Sequence, residues 1–421
     1  MSPALLLVKS RSSASYPART PSGRRSRVAD RPPRADPGHH AGAVRSAQSG
    51  RPAGDAGLAE RLLEVIDSGR RTATYKLAVL MALLDLCARR SGQDGRAPDV
   101  LHTRDIAAQV AALYWPQVIP YRQPGSGDAV DLRQITAPRA AIVRAVRTFR
   151  QAAEAEGATS LHLARQRLAG QYEEMLDQVE IIVTAQPLPR LQAVGTADKA
   201  FPFLYDLDWG PRETFTARRL RRHGPAGPVI RLLPGAGEEL VRLAPLIRPL
   251  VEMHWTRMVA QINGVAQAEL DLHRHLFGSG RLNPPKPLRD GLADLQQGRC
   301  FYCLRSLSRR PDADHFIPRV RCGIDTVENL VLADPACNND KRDLLAAPPL
   351  VATWASRNTR HRDHLASLAR AARWDTDPDG TLAVARSIYH HLPPGPTPFW
   401  LGFKRVEPAN PADALTAITG P

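Results

Sequence analysis

The chain has 421 residues, of which 43% are hydrophobic and 24% charged, and its formal net charge is +15. This length is sufficient for two or three domains with buried cores. No run of about eighteen apolar residues occurs, which argues against a membrane-spanning helix. The five cysteines do not resemble a disulfide framework, so a reducing cytoplasm is the expected location.

The first 54 residues form a strongly basic segment without apolar periodicity. Residues 1–54 contain ten Lys or Arg against two Asp, a net +8, and are rich in Ser, Pro, Ala and Gly. Such a composition buries little apolar surface, so a disordered tail is expected. The tail can bind DNA backbone non-specifically, act as a targeting-like peptide, or result from a start codon placed too early. A dispensable tail is the favoured interpretation.

Residues 55–185 show helical spacing of apolar side chains and are expected to form a helical domain. Thr103 is placed to cap the third helix. A DNA-reading helix-turn-helix over residues 75–121 is one interpretation, but nothing identifies a recognition helix, and a plain helical bundle is favoured. The predicted helices are Leu58–Ile66, Tyr75–Cys87, Arg104–Tyr114, Arg139–Ala155 and Leu161–Val179, with Glu180–Thr184 either extending the last one or starting a strand.

Residues 186–290 are predicted to be a loop-rich connector followed by a long helix. The connector is rich in Pro, Gly and aromatic residues, and Pro228–Leu233 is a possible strand. The helix, Glu238–Val265, is expected to be interrupted near Pro245 and Pro249. The connector also holds a basic run that can grip phosphates or simply form a solvated face. The basic residues of this run are Arg218, Arg219, Arg221 and Arg222.

Residues 291–350 contain the most concentrated set of chemically competent side chains. A Cys-x-x-Cys knuckle, an Asp-His pair, an Asn before an apolar run and a Cys-Asn pair follow in that order. Phosphodiester hydrolysis needs a base that works near neutral pH and a group that neutralises developing charge. His315 can accept a proton at such a pH. Asp314 and either Asn338 or Asn339 offer hard oxygen ligands, which suit Mg²⁺ or Mn²⁺.

Two short strands are expected in this block. Asp314 and His315 are adjacent and would face opposite sides of an ideal strand. A strand end or a bulge at this point is therefore expected. Asn329 precedes an apolar run, Leu330–Leu332, that is typical of a second short strand.

A helix is expected to follow the second strand, from Pro335 to about Leu345. Asp334 is positioned as its N-cap, and the proline occupies the first helical position. Asn338 and Lys341 are three residues apart and share a face of this helix. The block therefore predicts a ββα unit in which a carboxylate and an amide are placed to share one cation.

These motifs resemble those of the HNH nucleases of the ββα-metal superfamily, over about residues 296–347. The resemblance implies that His315 is the general base and that Asp314 and Asn338 bind one divalent metal ion. It also implies that Asn329 constrains the loop that carries the base. The implied reaction is a one-metal endonuclease mechanism, in which a His-activated water attacks phosphorus and the metal stabilises the 3′ leaving oxygen.

A structural zinc ion is the second metal that the resemblance suggests. Zinc-stabilised members of the family carry two Cys-x-x-Cys knuckles, and here Asp334 replaces the first cysteine of the second knuckle. Cys300, Cys303 and Cys337 are expected to bind Zn²⁺ with Asp334 as the fourth ligand. The same Asp is equally well explained as a helix N-cap, Cys322 is a weaker candidate ligand, and ordinary buried thiols are the remaining interpretation.

The last part, residues 351–421, is expected to form a C-terminal helical extension. Trp354–Trp374 shows helical spacing, and Thr381–Tyr389 is typical of a short helix or strand. Taken with the preceding segments, the predicted fold is a mainly α multidomain protein. It carries a small α+β (ββα-metal) HNH nuclease module near its C-terminus.

The expected function is that of an endonuclease that depends on Mg²⁺ or Mn²⁺ and cuts DNA, because the HNH relatives mostly cut DNA. Double-stranded DNA is the expected partner, with Lys341 and the basic run as candidate contacts. The helical N-terminal region is expected to position substrate or to bind a protein partner or a second copy, by analogy with restriction or phage-defence enzymes. The alternatives are an RNA-directed nuclease and a non-catalytic nucleic-acid-binding or zinc-scaffold protein.

Overall fold

Residues 54–421 form one compact unit, so the multidomain arrangement expected from the sequence is not confirmed. The basic segment and the four arginines of the basic run lie outside the described residues. Among the described helices, none combines the length and apolar character needed to span a bilayer. A computed structural model of the chain describes residues 57–67, 73–122, 129–136, 140–193, 202–210, 215–216, 220, 227–265, 269–278 and 283–419.

Helices account for most of the described structure, as the sequence predicted. In chain order they are α1 (Leu58–Asp67), α2 (Tyr75–Arg89), α3 (Thr103–Tyr114), α4 (Ala141–Ala155), α5 (Leu161–Arg167), α6 (Ala169–Ala185), α7 (Pro187–Leu191), α8 (Ala236–Asn263), α9 (Glu269–Phe277), α10 (Lys286–Leu295), α11 (Pro335–Lys341), α12 (Pro348–Arg360), α13 (Arg362–Ala372), α14 (Pro378–His390) and α15 (Pro411–Thr419).

The described strands are short and pair only in antiparallel fashion. They are β1 (Val100–His102), β2 (Tyr121–Arg122), β3 (Ala129–Val130), β4 (Tyr205–Leu207), β5 (Val229–Leu232), β6 (Asp312–His315), β7 (Leu330–Ala333), β8 (Thr397–Gly402) and β9 (Arg405–Ala409). Strands β1, β5 and β4 form one sheet in that order, while β2–β3, β6–β7 and β8–β9 are separate pairs. The strand expected over Pro228–Leu233 is therefore present as β5.

Helix α2 is the centre of the helical core. All of its residues from Leu77 to Ala88 are buried, and it contacts α3, α7, α8 and α14. A helix that is apolar on every side belongs inside a protein. Helix α2 therefore forms the centre of a helical bundle, as the favoured interpretation of the sequence expected.

Two long helices predicted from periodicity are each divided into two. The first is divided at Leu168 into α5 and α6, and α6 continues as helix through Glu180–Thr184. The second is divided at His361 into α12 and α13. The cap expected at Thr103 is also displaced, because His102 occupies the N-cap position and the Thr103 hydroxyl donates to Glu180 at 2.6 Å.

Helix α8 runs without a break through Pro245 and Pro249, where an interruption was expected. The two prolines are four residues apart, and neither is buried. They therefore lie on one outer face of the helix, where water can hydrate the carbonyl groups that each proline leaves unpaired. Burial of the opposite face, which includes Leu240 and Ile247, outweighs the local cost of the prolines.

The C-terminal region is not helical throughout, contrary to the expectation for residues 351–421. Strands β8 and β9 form a hairpin there. The backbone of Trp400 accepts from the Ala347 amide at 2.8 Å and donates to the Leu345 carbonyl at 2.8 Å. These bonds attach the hairpin to the segment between α11 and α12. The helix of the ββα unit ends at Lys341 rather than near residue 345, and the prolines at 348 and 349 begin α12 instead of ending α11.

Candidate active site

Strands β6 and β7 form the hairpin that carries the Asp-His pair. Asp312 pairs with Ala333 and His315 pairs with Leu330, in a register without a bulge. The strand β6 ends at His315. Of the two local geometries expected from the sequence, the structure therefore contains the strand end.

The imidazole of His315 is held by a carboxylate on the following loop. Its Nε2 lies 2.7 Å from Oδ1 of Asp325, and the His315 side chain is only 11% exposed. The surrounding protein opposes ionisation of Asp325 only partly, because its side chain is 49% exposed. The hydrogen bond from His315 and the nearby positive charges lower the pKa of this carboxyl group. The Trp374 indole donates to the Asp325 carbonyl at 2.6 Å, which fixes the backbone at this point.

Asn329 closes the loop between the two strands. It is fully buried, and its Oδ1 accepts from the Ile317 amide at 2.8 Å. Its Nδ2 donates to the carbonyls of Ile317 at 3.0 Å and Ile324 at 3.2 Å. Three bonds from one amide thus join the beginning and the end of the loop, and the end of the loop is where Asp325 is located.

The carboxylate of Asp314 lies between a phenol and an ammonium group. Its Oδ2 accepts from the Tyr302 hydroxyl at 2.5 Å and lies 3.0 Å from Nζ of Lys341. Burial, followed by the charge of Asp314, raises the pKa of Tyr302 well above its ordinary value. Tyr302 therefore stays protonated and acts as a donor to this carboxylate.

Lys341 has a position that the sequence interpretation did not anticipate. Its side chain is fully buried, and its Nζ also donates to the His315 carbonyl at 2.9 Å. A buried ammonium group with two internal acceptors has no surface through which to contact a phosphate. The geometry supports an orienting role toward Asp314 and not the nucleic-acid contact expected from the sequence.

A second carboxylate lies near the predicted metal ligands. Asp312 and Asp314 are two residues apart on β6 and therefore lie on the same face of the strand. Nδ2 of Asn338, on α11, donates to Oδ2 of Asp312 at 3.1 Å. Carboxylate and amide oxygens are the hard donors that Mg²⁺ and Mn²⁺ prefer.

Three cysteines converge beside this hairpin. The Sγ atoms of Cys300, Cys303 and Cys337 all lie within 4.8 Å of one another. Four-coordinate zinc with bonds of about 2.3 Å places its sulfur ligands roughly 3.8 Å apart, so the cluster can bind a metal ion. Burial first, and then the neighbouring sulfur of Cys300, raises the pKa of Cys337. A cation bound there would displace the thiol protons.

Asp334 faces the cysteines and not the helix amides. It occupies the N-cap position of α11 but makes no side-chain capping bond. Its Oδ2 lies 3.6 Å from Sγ of Cys303, and its Oδ1 accepts from the Ser308 amide at 3.1 Å. Cys322, the weaker candidate, lies away from the cluster, because its Sγ contacts Asp85 at 3.5 Å.

The contact of Cys322 is part of a buried link between the loop and the helical core. Asp85 on α2 forms an ion pair with Arg248 on α8, and the side chains are 1% and 4% exposed. Oδ1 of Asp85 also accepts from the Gly323 amide at 3.2 Å. Gly323 lies against this ion pair, since a Cβ atom added at residue 323 would lie 3.2 Å from Nη1 of Arg248. The loop that carries Asp325 is therefore anchored in the core.

Three residues of the site were not singled out from the sequence: Asp312, Tyr302 and Asp325. Asp312 was detectable, because it precedes Asp314 by two residues on a predicted strand. Tyr302 lies inside the Cys-x-x-Cys knuckle, and no local pattern links it to Asp314. Asp325 meets His315 only after the loop closes, and nothing in the spacing indicates this contact.

The comparisons with known proteins agree with this geometry. Residues 300–344 match the family model described as HNH endonuclease. No curated protein and no solved structure matches the chain. The matched segment contains the cysteine cluster, both strands and α11. A segment near the C-terminus of this chain is therefore an HNH endonuclease domain, as its resemblance predicted.

Proposed function

We propose that this protein is an endonuclease that uses Mg²⁺ or Mn²⁺ to hydrolyse phosphodiester bonds in DNA. The observation that carries the proposal is the pairing of His315 with Asp325 at the end of β6, directly after Asp314. The HNH match over residues 300–344 supports the reaction type. A histidine held by a carboxylate, adjacent to a metal-binding carboxylate, is the arrangement that water activation requires.

His315 is proposed as the general base. An ionised Asp325 can only accept hydrogen bonds, so Nε2 of His315 carries the proton between them. The neutral ring then presents the lone pair of Nδ1 to a water molecule. The water proton passes to Nδ1 as the oxygen attacks phosphorus, and the bond between phosphorus and the 3′ oxygen breaks. Asn329 contributes by closing the loop on which Asp325 lies.

Asp314 and Asn338, with Asp312 beside them, are proposed to hold the divalent metal ion. Tyr302 and Lys341 both engage Oδ2 of Asp314, which leaves Oδ1 for the cation. When bound, the cation would stabilise the negative charge on the departing 3′ oxygen. The donor set contains only oxygen atoms, which favours Mg²⁺ or Mn²⁺ over zinc at this position.

The cysteine cluster is proposed to hold a structural Zn²⁺. Cys300, Cys303 and Cys337 supply three ligands, and Asp334 supplies the fourth. Such an ion would join the knuckle to the first turn of α11. It would therefore stabilise the unit without taking part in the reaction.

Duplex DNA in the cytoplasm is the proposed substrate, in a restriction or phage-defence setting. The support is the preference of HNH relatives for DNA. The helical region is proposed to position the substrate or to bind a partner. Incubation of the purified protein with plasmid DNA and with RNA, with and without Mg²⁺ or Mn²⁺, tests the substrate and the metal requirement together.

His315→Ala is expected to lower the cleavage rate by about 10²–10⁴-fold, since it removes the base but neither metal ligand. The melting temperature and the affinity for the divalent metal should stay close to wild type. The matched control is His364→Ala, because this histidine is exposed on α13 and should not affect cleavage. A folded His315→Ala protein that cuts DNA at the wild-type rate would contradict the proposed site.

A further inference from the structure

The turn of the C-terminal hairpin exposes an aromatic side chain beside a cation. Gly402 pairs with Arg405, so Phe403 and Lys404 form a two-residue turn between β8 and β9. Phe403 is 45% exposed. Nζ of Lys404 lies 5.3 Å from the centre of the Phe403 ring. Phe403 and Lys404 are named the hairpin tip below.

The hairpin tip is attached to the helix that carries the proposed metal ligand. Oδ2 of Asp340 accepts from the Lys404 amide at 2.7 Å and from the Trp400 indole at 2.9 Å. Asp340 lies two residues after Asn338 on α11, a helix of seven residues that is roughly 10 Å long. The tip is thus attached to α11, the helix that also carries Asn338.

A second connection runs through the aromatic core of the site. The rings of Trp400 and Tyr302 meet edge to face, with centroids 4.9 Å apart. The Tyr302 hydroxyl donates to Asp314. Trp400 of β8 therefore packs on Tyr302, which donates to a proposed metal ligand, while Phe403 at the tip remains exposed.

The conformation of the tip is unfavourable for its sequence. Lys404 has a φ of +57°, in the left-handed region where two-residue hairpin turns prefer Gly or Asn. A lysine at this position contributes no buried surface, and a glycine would form the turn with less strain. The left-handed conformation of Lys404 holds its exposed side chain at the end of the hairpin, beside the ring of Phe403.

We propose that the hairpin tip contacts the nucleic-acid substrate, with Phe403 stacking on a base face and Lys404 binding a backbone phosphate. This inference rests on the proposed endonuclease function. An exposed aromatic ring next to an ammonium group matches the two parts of a nucleotide, because stacking and phosphate neutralisation are separate interactions. Arg405 is already paired with Glu407 at 2.7 Å, so Lys404 is the cation assigned to the phosphate.

The test measures binding and cleavage by full-length variants with a labelled DNA duplex. Binding is measured in the His315→Ala background, so that the duplex stays intact. Phe403→Ala should weaken binding by roughly 10-fold, in line with the loss of one base–aromatic stack, and Phe403→Trp should restore it. Lys404→Gly, which suits the turn, should reduce the slope of log Kd against log salt by about one. Val406→Ala, which removes an exposed apolar side chain from the same hairpin, is the matched control.

Cleavage kinetics separate a contact from a purely structural role. In the active protein, Phe403→Ala should raise KM and leave kcat and the melting temperature near wild type, because it removes binding made equally in the ground and transition states. If the wild-type protein cleaves DNA but both tip variants have unchanged Kd, KM and salt slope, the hairpin-tip contact is wrong while the proposed endonuclease function stands. Absence of cleavage by the wild-type protein on every nucleic acid would instead overturn the proposed function on which the inference rests.

Discussion

At the scale of single residues, we expect the carboxylate of Asp325 to determine how well His315, the proposed base, is placed. Asp325→Asn keeps the size of the side chain but can donate to Nε2 and so permit the other tautomer of His315. We expect the cleavage rate to fall by about 10²-fold, because small misplacements of a catalytic group have effects of this size. Single-turnover cleavage measures the loss, and Asp363→Asn, at an exposed carboxylate on α13, is the control.

The same carboxylate should contribute to the pH dependence of stability. The folded-state pKa of Asp325 is lowered, so the unfolded chain binds more protons at this group as the pH falls. Its stabilising contribution is complete above the ordinary carboxyl pKa of about 4 and is lost below it. The difference in melting temperature between wild type and Asp325→Asn should therefore narrow from pH 6 to more acidic solution. A constant difference would contradict a stabilising role of the ionised Asp325 carboxylate.

Lys341 offers a test between a buried ion pair and a DNA contact. Lys341→Met removes the charge that faces Asp314 in a buried environment, which typically costs about 3–5 kcal/mol. Chemical denaturation should show a loss of this order in the free energy of unfolding. Lys286→Met breaks an exposed pair with Asp290 and should cost less than about 1 kcal/mol. An unchanged stability with weaker DNA binding would instead favour a phosphate contact.

Whether a site residue can be predicted from the sequence depends on whether the residues that it contacts are close to it along the chain. Asp314, His315 and Asn329 were chosen as candidates because their residue types and their spacing along the sequence match the motif. Asp325 was not, because its contact with His315 depends on loop closure by Asn329 and on anchoring at Asp85. Long-range hydrogen bonds of this kind leave no periodic signal in the sequence.

At the scale of elements, the cysteine knuckle and α11 form one unit if zinc is bound. Cys300→Ser should lower the zinc content from about one ion per chain and lower the melting temperature, because site formation and folding are linked. Elemental analysis of protein purified without added metal measures the first effect. Cys322→Ser is the matched control, since this thiol contacts Asp85 instead of the cluster. Full-length protein that melts normally and contains no zinc would contradict the prediction.

Elements with clear apolar periodicity were predicted well, and those shaped by tertiary contacts were not. The helices α1 and α2 follow the predicted ranges closely. The unbroken course of α8 through Pro245 and Pro249 depends on burial of its inner face, which local propensity does not encode. The hairpin of β8 and β9 was missed because the two strands carry no apolar alternation: all but one of the β9 residues are exposed.

At the scale of the whole molecule, residues outside the expected module boundaries complete the nuclease unit. Arg357 on α12 donates to the carbonyls of Leu330 at 2.6 Å and Glu328 at 2.6 Å. The Trp354 indole donates to the same Glu328 carbonyl at 2.9 Å, and its ring stacks on Phe316 at 4.8 Å. A module that ended at residue 350, as expected from the sequence, would lack Trp354 and Arg357. These two side chains donate hydrogen bonds to the backbone carbonyls at the start of β7.

Because the loop is anchored by Asp85 and Arg248, we expect that the HNH segment cannot fold when it is separated from the helical core. A fragment of residues 291–350 would lose the acceptor for the Gly323 amide and the donors that Trp354 and Arg357 supply. We expect such a fragment to remain unfolded by circular dichroism even with zinc present. A graft onto another protein would therefore have to include the helices that carry Asp85 and Arg248, together with α12.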